Sequence, residues 1–263
     1  MSSRQRRRRR PDPGMFVLPP IANAAGVHAL FETAALLAGT QAYWLARRRA
    51  GQPSAFAGPS FFILIGALLG AGLGSKAVFW MERPDLLSQF AYQPLALVFN
   101  AGQSVVGGLL GGLLGVELAK RFNGVTVSTG DLFVGPILLG LVVGRIGCFL
   151  GGLADDTYGV PTALPWGVDF GDGIARHPTQ LYEVAFAATL WLALGRAAPR
   201  LAGMPGLRFR LMLSAYLLWR LAIEALKPVP YAWPGGLSGI QWVCLLALAL
   251  YLPGTLIRLR GLR

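Results

Sequence analysis

The chain has 263 residues, of which 54% are apolar and only 14% charged, with a formal net charge of +12. Soluble domains carry about 25% charged residues, so this composition, with a mean hydropathy of +0.52, excludes an ordinary water-soluble globule. The positive balance needs no nucleic acid to explain it, because one-sided loops and a basic tail account for it, and no nucleic-acid partner is expected.

In chain order, Arg4 and Arg6 through Arg10 come first, followed by Pro11 and Pro13. Residues 1–14 are expected to form a basic disordered tail, and residues 15–263 a single seven-span membrane domain. The tail is no signal peptide, because no apolar core follows the arginines closely. Two origins are open for it: it stays inside and alters the entry of the first span, or the true start is Met15. The charge pattern of the remaining chain favours Met15.

Seven apolar stretches follow, each near the ~20 residues that a spanning helix needs. They run Val27–Ala46, Ser60–Trp80, Leu95–Leu118, Leu132–Leu150, Gln180–Leu194, Leu211–Leu226 and Ile240–Leu256. The fifth is the shortest. The runs are continuous and rich in Leu, Ala and Gly, which favours helices over strands. The expected fold is therefore an all-α integral membrane protein of about seven transmembrane helices.

Lys and Arg orient it. Arg47–Arg49, Lys120, Arg121, Arg196, Arg200, Arg208, Arg210, Arg258, Arg260 and Arg263 fall on one side, and only Arg83, Arg176 and Lys227 on the other. The first side is cytoplasmic, which places the N-terminus outside and the C-terminus inside. The longest loop, Leu153–Ala175 between the fourth and fifth stretches, then forms an outer-face loop domain. Its four aspartates, Asp155, Asp156, Asp169 and Asp172, have no recognised metal-ligand spacing, so no metal is expected.

Ionisable residues inside a bilayer imply function, and here they gather toward the outer ends of the stretches. His28 and Glu32 are four residues apart and share a helix face. Lys76 and Arg145 lie near outer exits, and His177 and Glu183 near an outer entry. Arg220, Glu224 and Lys227 share a face, where Glu224 can neutralise one cation. Gln241 opens the last stretch. The segment Gly102-Gln103-Ser104-Val105-Val106-Gly107-Gly108-Leu109-Leu110-Gly111-Gly112 permits close helix packing or a local backbone-lined site. Cys148 and Cys244 offer neither a disulfide framework nor metal-ligand spacing.

Two motifs stand out: Gly144-Arg145-Ile146-Gly147 and Arg176-His177-Pro178-Thr179-Gln180-Leu181-Tyr182-Glu183. On these the chain resembles the bacterial prolipoprotein diacylglyceryl transferases, seven-span inner-membrane enzymes that move the diacylglyceryl group of phosphatidylglycerol onto a lipobox cysteine. The resemblance implies that Arg145 holds the lipid phosphate. It also implies that Gly159, Gln180, Tyr182, Glu224 and Gln241 line the substrate site, with Lys227 as a second phosphate-binding cation; the charge pattern adds Lys76 and Arg220 as further cations.

The sequence departs from the family pattern in four places. Cys148 stands where the family has asparagine, and Val106 stands where its third-span motif has histidine. Phe31 replaces a first-span tyrosine, and Lys227 replaces an arginine, which keeps the charge and loses the guanidinium fork. His28 with Glu32, or His177, is the substitute base.

The expected activity is phosphatidylglycerol-dependent transfer to a precursor cysteine thiol or a related acceptor. The alternative is a lipid-binding relative that has lost the base. The expected setting is a monomer in the bacterial plasma (inner) membrane, with its site facing the outer leaflet. Its partners are phosphatidylglycerol and a secreted lipoprotein precursor or other membrane acceptor, with no cofactor.

Overall fold

The computed structural model describes residues 16–19, 21–89, 92 and 102–261. The basic tail, Met15 and the beginning of the third stretch at Leu95 lie outside the described residues. Seven helices of 17 to 26 residues run through the described residues. They are α1 Ala24–Arg49, α2 Pro59–Glu82, α3 Val105–Phe122 and α4 Val134–Gly151. The rest are α5 Thr179–Leu201, α6 Leu207–Ile223 and α7 Gly239–Arg260.

Each helix falls on one of the seven apolar stretches. The fifth is longer than hydropathy indicated, because Arg196 and Arg200 end an apolar run without ending a helix. Among the described residues, four segments are long and apolar enough to cross a membrane by length and composition: Pro59–Glu82, Gly130–Asp155, Thr179–Leu201 and Gly239–Arg260. Large side chains such as Leu36, Leu68, Leu73 and Leu250 stand exposed on the helices, as a lipid-facing surface requires.

The chain divides into two compact units. One comprises Met1–Ala42, Gly135–Leu192 and Leu226–Pro228, and the other Tyr43–Val134, Ala193–Ala225 and Val229–Arg263.

In the second unit, α2 and α3 meet along a glycine seam. Gly66, Gly70 and Gly74 recur at i, i+4 on α2, and Gly107, Gly111 and Gly115 on α3. A Cβ on Gly70 would overlap the Gly111 carbonyl oxygen, and one on Gly66 would lie 2.5 Å from that of Gly115. Without an aqueous driving force between spans, such close backbone contact supplies the attraction. The glycine-rich third stretch is thus a packing surface along Gly107, Gly111 and Gly115.

Polar ties fix the ends of these helices. Ser104 N–H donates to Ser75 Oγ at 3.0 Å, and Ser104 Oγ accepts from Gly107 N–H at 3.3 Å. The α6 N-terminus is capped from a distant loop: Asp131 accepts from Gly206 N–H at 2.7 Å and from Phe209 N–H at 2.9 Å. On the arginine-rich side, Arg47 is buried, and its guanidinium donates to Tyr43 OH at 3.2 Å, to Ser60 Oγ at 3.4 Å and to the Pro53 carbonyl.

In the first unit, a three-stranded sheet organises the long loop. The strands are β1 Phe16–Val17, β2 Val168–Asp169 and β3 Ala175–Arg176; β1 pairs parallel with β2, and β2 antiparallel with β3. Asp169 Oδ1 accepts from Gly171 and Gly173 N–H at 2.8 and 2.9 Å, which closes the β2–β3 turn.

Candidate active site

Within the first unit, α4 carries Arg145 and α5 carries Glu183 three residues after Gln180. Arg145 Nε lies 2.8 Å from Glu183 Oε2. The two motifs singled out in the sequence are therefore joined by a buried ion pair, which is costly to form away from water unless charge and geometry both match. Gln180 is also buried, and neither its Oε1 nor its Nε2 has a hydrogen-bond partner among the described residues. A buried amide left unsatisfied in this way calls for an explanation, and a ligand supplies one.

Beside this pair stands a second cluster. His28 Nδ1 on α1 lies 2.7 Å from Asp155 Oδ1, just beyond α4, and Arg145 Nη1 lies 3.7 Å from Cys148 Sγ. The ligating atoms of His28, Cys148 and Asp155 all lie within 4.8 Å of one another. Thr157 Oγ1 donates to the other Asp155 oxygen. The carboxylate at hydrogen-bond distance from His28 is thus Asp155, which the sequence placed in the loop; Glu32 is one turn further along α1 and exposed. Gly147, between Arg145 and Cys148, makes room for Phe31, whose Cβ a side chain at 147 would overlap.

His177 holds the loop. Its Nδ1 is 3.2 Å from Tyr182 OH, which also accepts from Trp166 Nε1 at 2.8 Å. Its carbonyl accepts from Gly159 N–H at 2.9 Å, and its N–H donates to the Val160 carbonyl at 3.1 Å. Gly159 is required by close approach: a Cβ there would lie 2.6 Å from His177 Cβ and 2.7 Å from the Leu226 carbonyl oxygen. These contacts give Gly159 and Tyr182 structural work in the loop. Asp172 pairs with both terminal nitrogens of Arg176 at 2.7 Å, and Arg176 lies over the Tyr158 ring at 4.9 Å. The Arg176 hydrogen bonds hold the Asp172 carboxyl below its ordinary pKa, whereas burial pushes the Tyr158 hydroxyl up. Lys227 belongs to this unit.

The remaining expected site residues belong to the second unit. Arg220 and Glu224 form a buried ion pair at 2.9 Å, so of the two cations on that face Arg220 is one that Glu224 neutralises. Lys76 Nζ donates to the Gly102 carbonyl at 3.4 Å. Gln241 closes a capping box at the start of α7: its Oε1 accepts from Ser238 N–H at 2.9 Å, its N–H donates to Ser238 Oγ at 3.1 Å, and its Nε2 donates to the Leu221 carbonyl at 3.5 Å. Both ends of that amide are engaged by the protein. Val106 is fully buried beside the glycine seam.

Sequence reasoning missed Asp155 as the partner of His28 and Cys148 as the third member of that cluster. The only available signal was their place seven residues apart, either side of the α4 C-terminus.

Comparison with known proteins finds relatives along most of the chain. The family model described as prolipoprotein diacylglyceryl transferase matches residues 26–257. Among curated relatives is a phosphatidylglycerol–prolipoprotein diacylglyceryl transferase of Nitratidesulfovibrio vulgaris (Miyazaki F). It is 37% identical over 227 residues, covering 77% of this chain and 79% of the relative. Proteins of the same name from Geobacter sulfurreducens and Ruegeria pomeroyi are 33% and 28% identical over 209 and 246 residues. Those matches cover 75% and 84% of this chain, and 76% and 79% of the relatives. The chain belongs to the prolipoprotein diacylglyceryl transferase family.

Proposed function

We propose that this protein transfers the diacylglyceryl group of phosphatidylglycerol to the cysteine thiol of a lipoprotein precursor. The observation that carries this reading is the buried Arg145–Glu183 pair beside the Gln180 amide, which has no partner among the described residues, in the same unit as His28, Cys148 and Asp155. A guanidinium has five donors in a planar fork, more than one carboxylate can accept, and it suits a phosphodiester. Arg145 binds the lipid phosphate and stabilises charge on the departing glycerol phosphate, while Glu183 orients the guanidinium. Gln180 completes the cradle, with Lys227 as a further cation. The His28 side of the site handles the acceptor thiol, and His177, tied to Tyr182, positions the loop over the site.

In this reading all seven helices cross the bacterial plasma membrane. The N-terminus is outside, the arginine-rich loops and C-terminus are inside, and a monomer presents the site to the outer leaflet. The tests are complementation of a strain depleted of its own transferase and transfer from labelled phosphatidylglycerol to a lipobox peptide. The intact chain restores growth and labels the peptide; Arg145→Ala does neither. One observation favours a second reading: buried, apolar Val106 stands at the family's histidine position. Purified chain that retains phosphatidylglycerol and never turns it over establishes that lipid-binding role instead.

A further inference from the structure

We infer that His28, Cys148 and Asp155 form a three-ligand site for a divalent cation of the zinc class, whose fourth position takes the acceptor thiolate. The inference rests on the transferase reading above and names how its thiol is activated.

An imidazole, a thiol and a carboxylate are the ligand types that zinc uses, and a site with three protein ligands and one open position is its catalytic form. The three ligating atoms lie within 4.8 Å of one another. Tetrahedral bonds of about 2.0–2.3 Å place ligand atoms about 3.3–3.8 Å apart. The cluster therefore needs only a modest contraction at its widest separation, and a small opening of the 2.7 Å His28–Asp155 contact. The ligands are already oriented from outside: Thr157 Oγ1 bonds the second Asp155 oxygen, and Arg145 Nη1 approaches Cys148 Sγ. Such outer contacts fix ligand geometry. Charge also balances, because a thiolate and a carboxylate cancel a dication. Access exists on one side, where the His28 side chain is 38% exposed while that of Asp155 is 3% exposed.

A coordinating thiol is deprotonated outright. The acceptor R–SH thus gives up its proton on entering the open position. Its sulfur attacks the glyceryl carbon bonded to the phosphate ester oxygen, forming the S–C bond as the C–O bond breaks. The electron pair leaves on glycerol phosphate beside Arg145, and that phosphate takes up the proton. No histidine in the third helix is required, which fits Val106 at that place.

The test uses the full chain in detergent, stripped with a chelator and reloaded with Zn2+ or Co2+. Expected are one metal per chain by elemental analysis and a thiolate-to-Co2+ charge-transfer band. A lipobox cysteine peptide strengthens the band and its serine analogue does not. Cys148→Ser abolishes the unliganded band, and Asp155→Asn and His28→Ala weaken metal affinity about tenfold or more; Cys244→Ser binds as the parent does. The band of the parent protein needs no variant, so misfolding of one leaves the test intact. Full transfer by metal-free protein, or Co2+ bound without a thiolate band, overturns the inference and leaves His28–Asp155 as a simple base pair with the transferase reading standing. Stoichiometric, Cys148-dependent metal that responds to the peptide, in a chain that transfers nothing, retains the site and removes the transferase reading.

Discussion

Arg145 and Glu183 face each other at 2.8 Å with side chains only 10% and 1% exposed, so each is the other's condition for being buried. Removing one partner strands a charge, which costs far more than removing both. Glu183→Ala should destabilise the detergent-solubilised protein by about 3–5 kcal/mol, and the Arg145→Ala, Glu183→Ala double variant should recover part of that loss. Thermal unfolding across this double-mutant cycle measures it; equal, additive losses would show that the pair is not coupled.

Gln180 separates stability from ligand binding. Its buried amide has no partner for either end among the described residues, so a leucine of similar volume relieves an unmet desolvation cost of about 1–3 kcal/mol. Gln180→Leu should therefore unfold at higher temperature while lipid binding and transfer fall. A variant that loses stability and keeps activity contradicts a ligand role for Gln180.

The glycine seam makes a graded prediction. Gly111→Ala places a Cβ onto the Gly70 carbonyl, whereas Gly112→Ala meets nothing closer than 3.5 Å. Overpacking costs about 1–3 kcal/mol, so Gly111→Ala should lower the melting temperature clearly and Gly112→Ala hardly at all. Identical melting curves for the two would remove the seam as the basis of α2–α3 association.

The loop should respond to acid in one direction. Arg176 holds the Asp172 carboxyl below its ordinary value, so the folded loop favours the ionised form. The stabilisation is fully present above the unfolded carboxylate value of about 3.9 and is lost as pH falls through the lower folded value. Hydrogen exchange across residues 155–176 should thus rise only under acidic conditions. Asp172→Asn should show the faster exchange already at neutral pH; protection equal to that of the parent would be the contrary result.

Much of this protein is legible without coordinates. The apolar stretches marked the seven long helices of the described residues, and four segments there are long and apolar enough to cross a membrane, because a helix that meets lipid must be apolar over its length. Arg145 and Glu183 were also visible as charges where few belong, and the spacing of Arg220, Glu224 and Lys227 showed that Glu224 can neutralise one cation, which the structure makes Arg220. Gly66, Gly70 and Gly74 were equally available in the sequence, yet only their register against Gly107, Gly111 and Gly115 makes them a seam. Gln241 shows the converse: the family resemblance implied substrate contact, and the structure adds a capping role three residues after Ser238.

The sequence by itself determined what each helix is made of, since periodicity, hydropathy and charge are local properties. Tertiary structure decided the pairings: that Arg145 meets Glu183, that Gln180 is buried with its amide unmet among the described residues, and that His28 finds Asp155 and Cys148. Those pairs are separated by as many as 127 residues along the chain between His28 and Asp155. No local propensity carries that information; it arises only when the helices pack and each buried charge must find its partner.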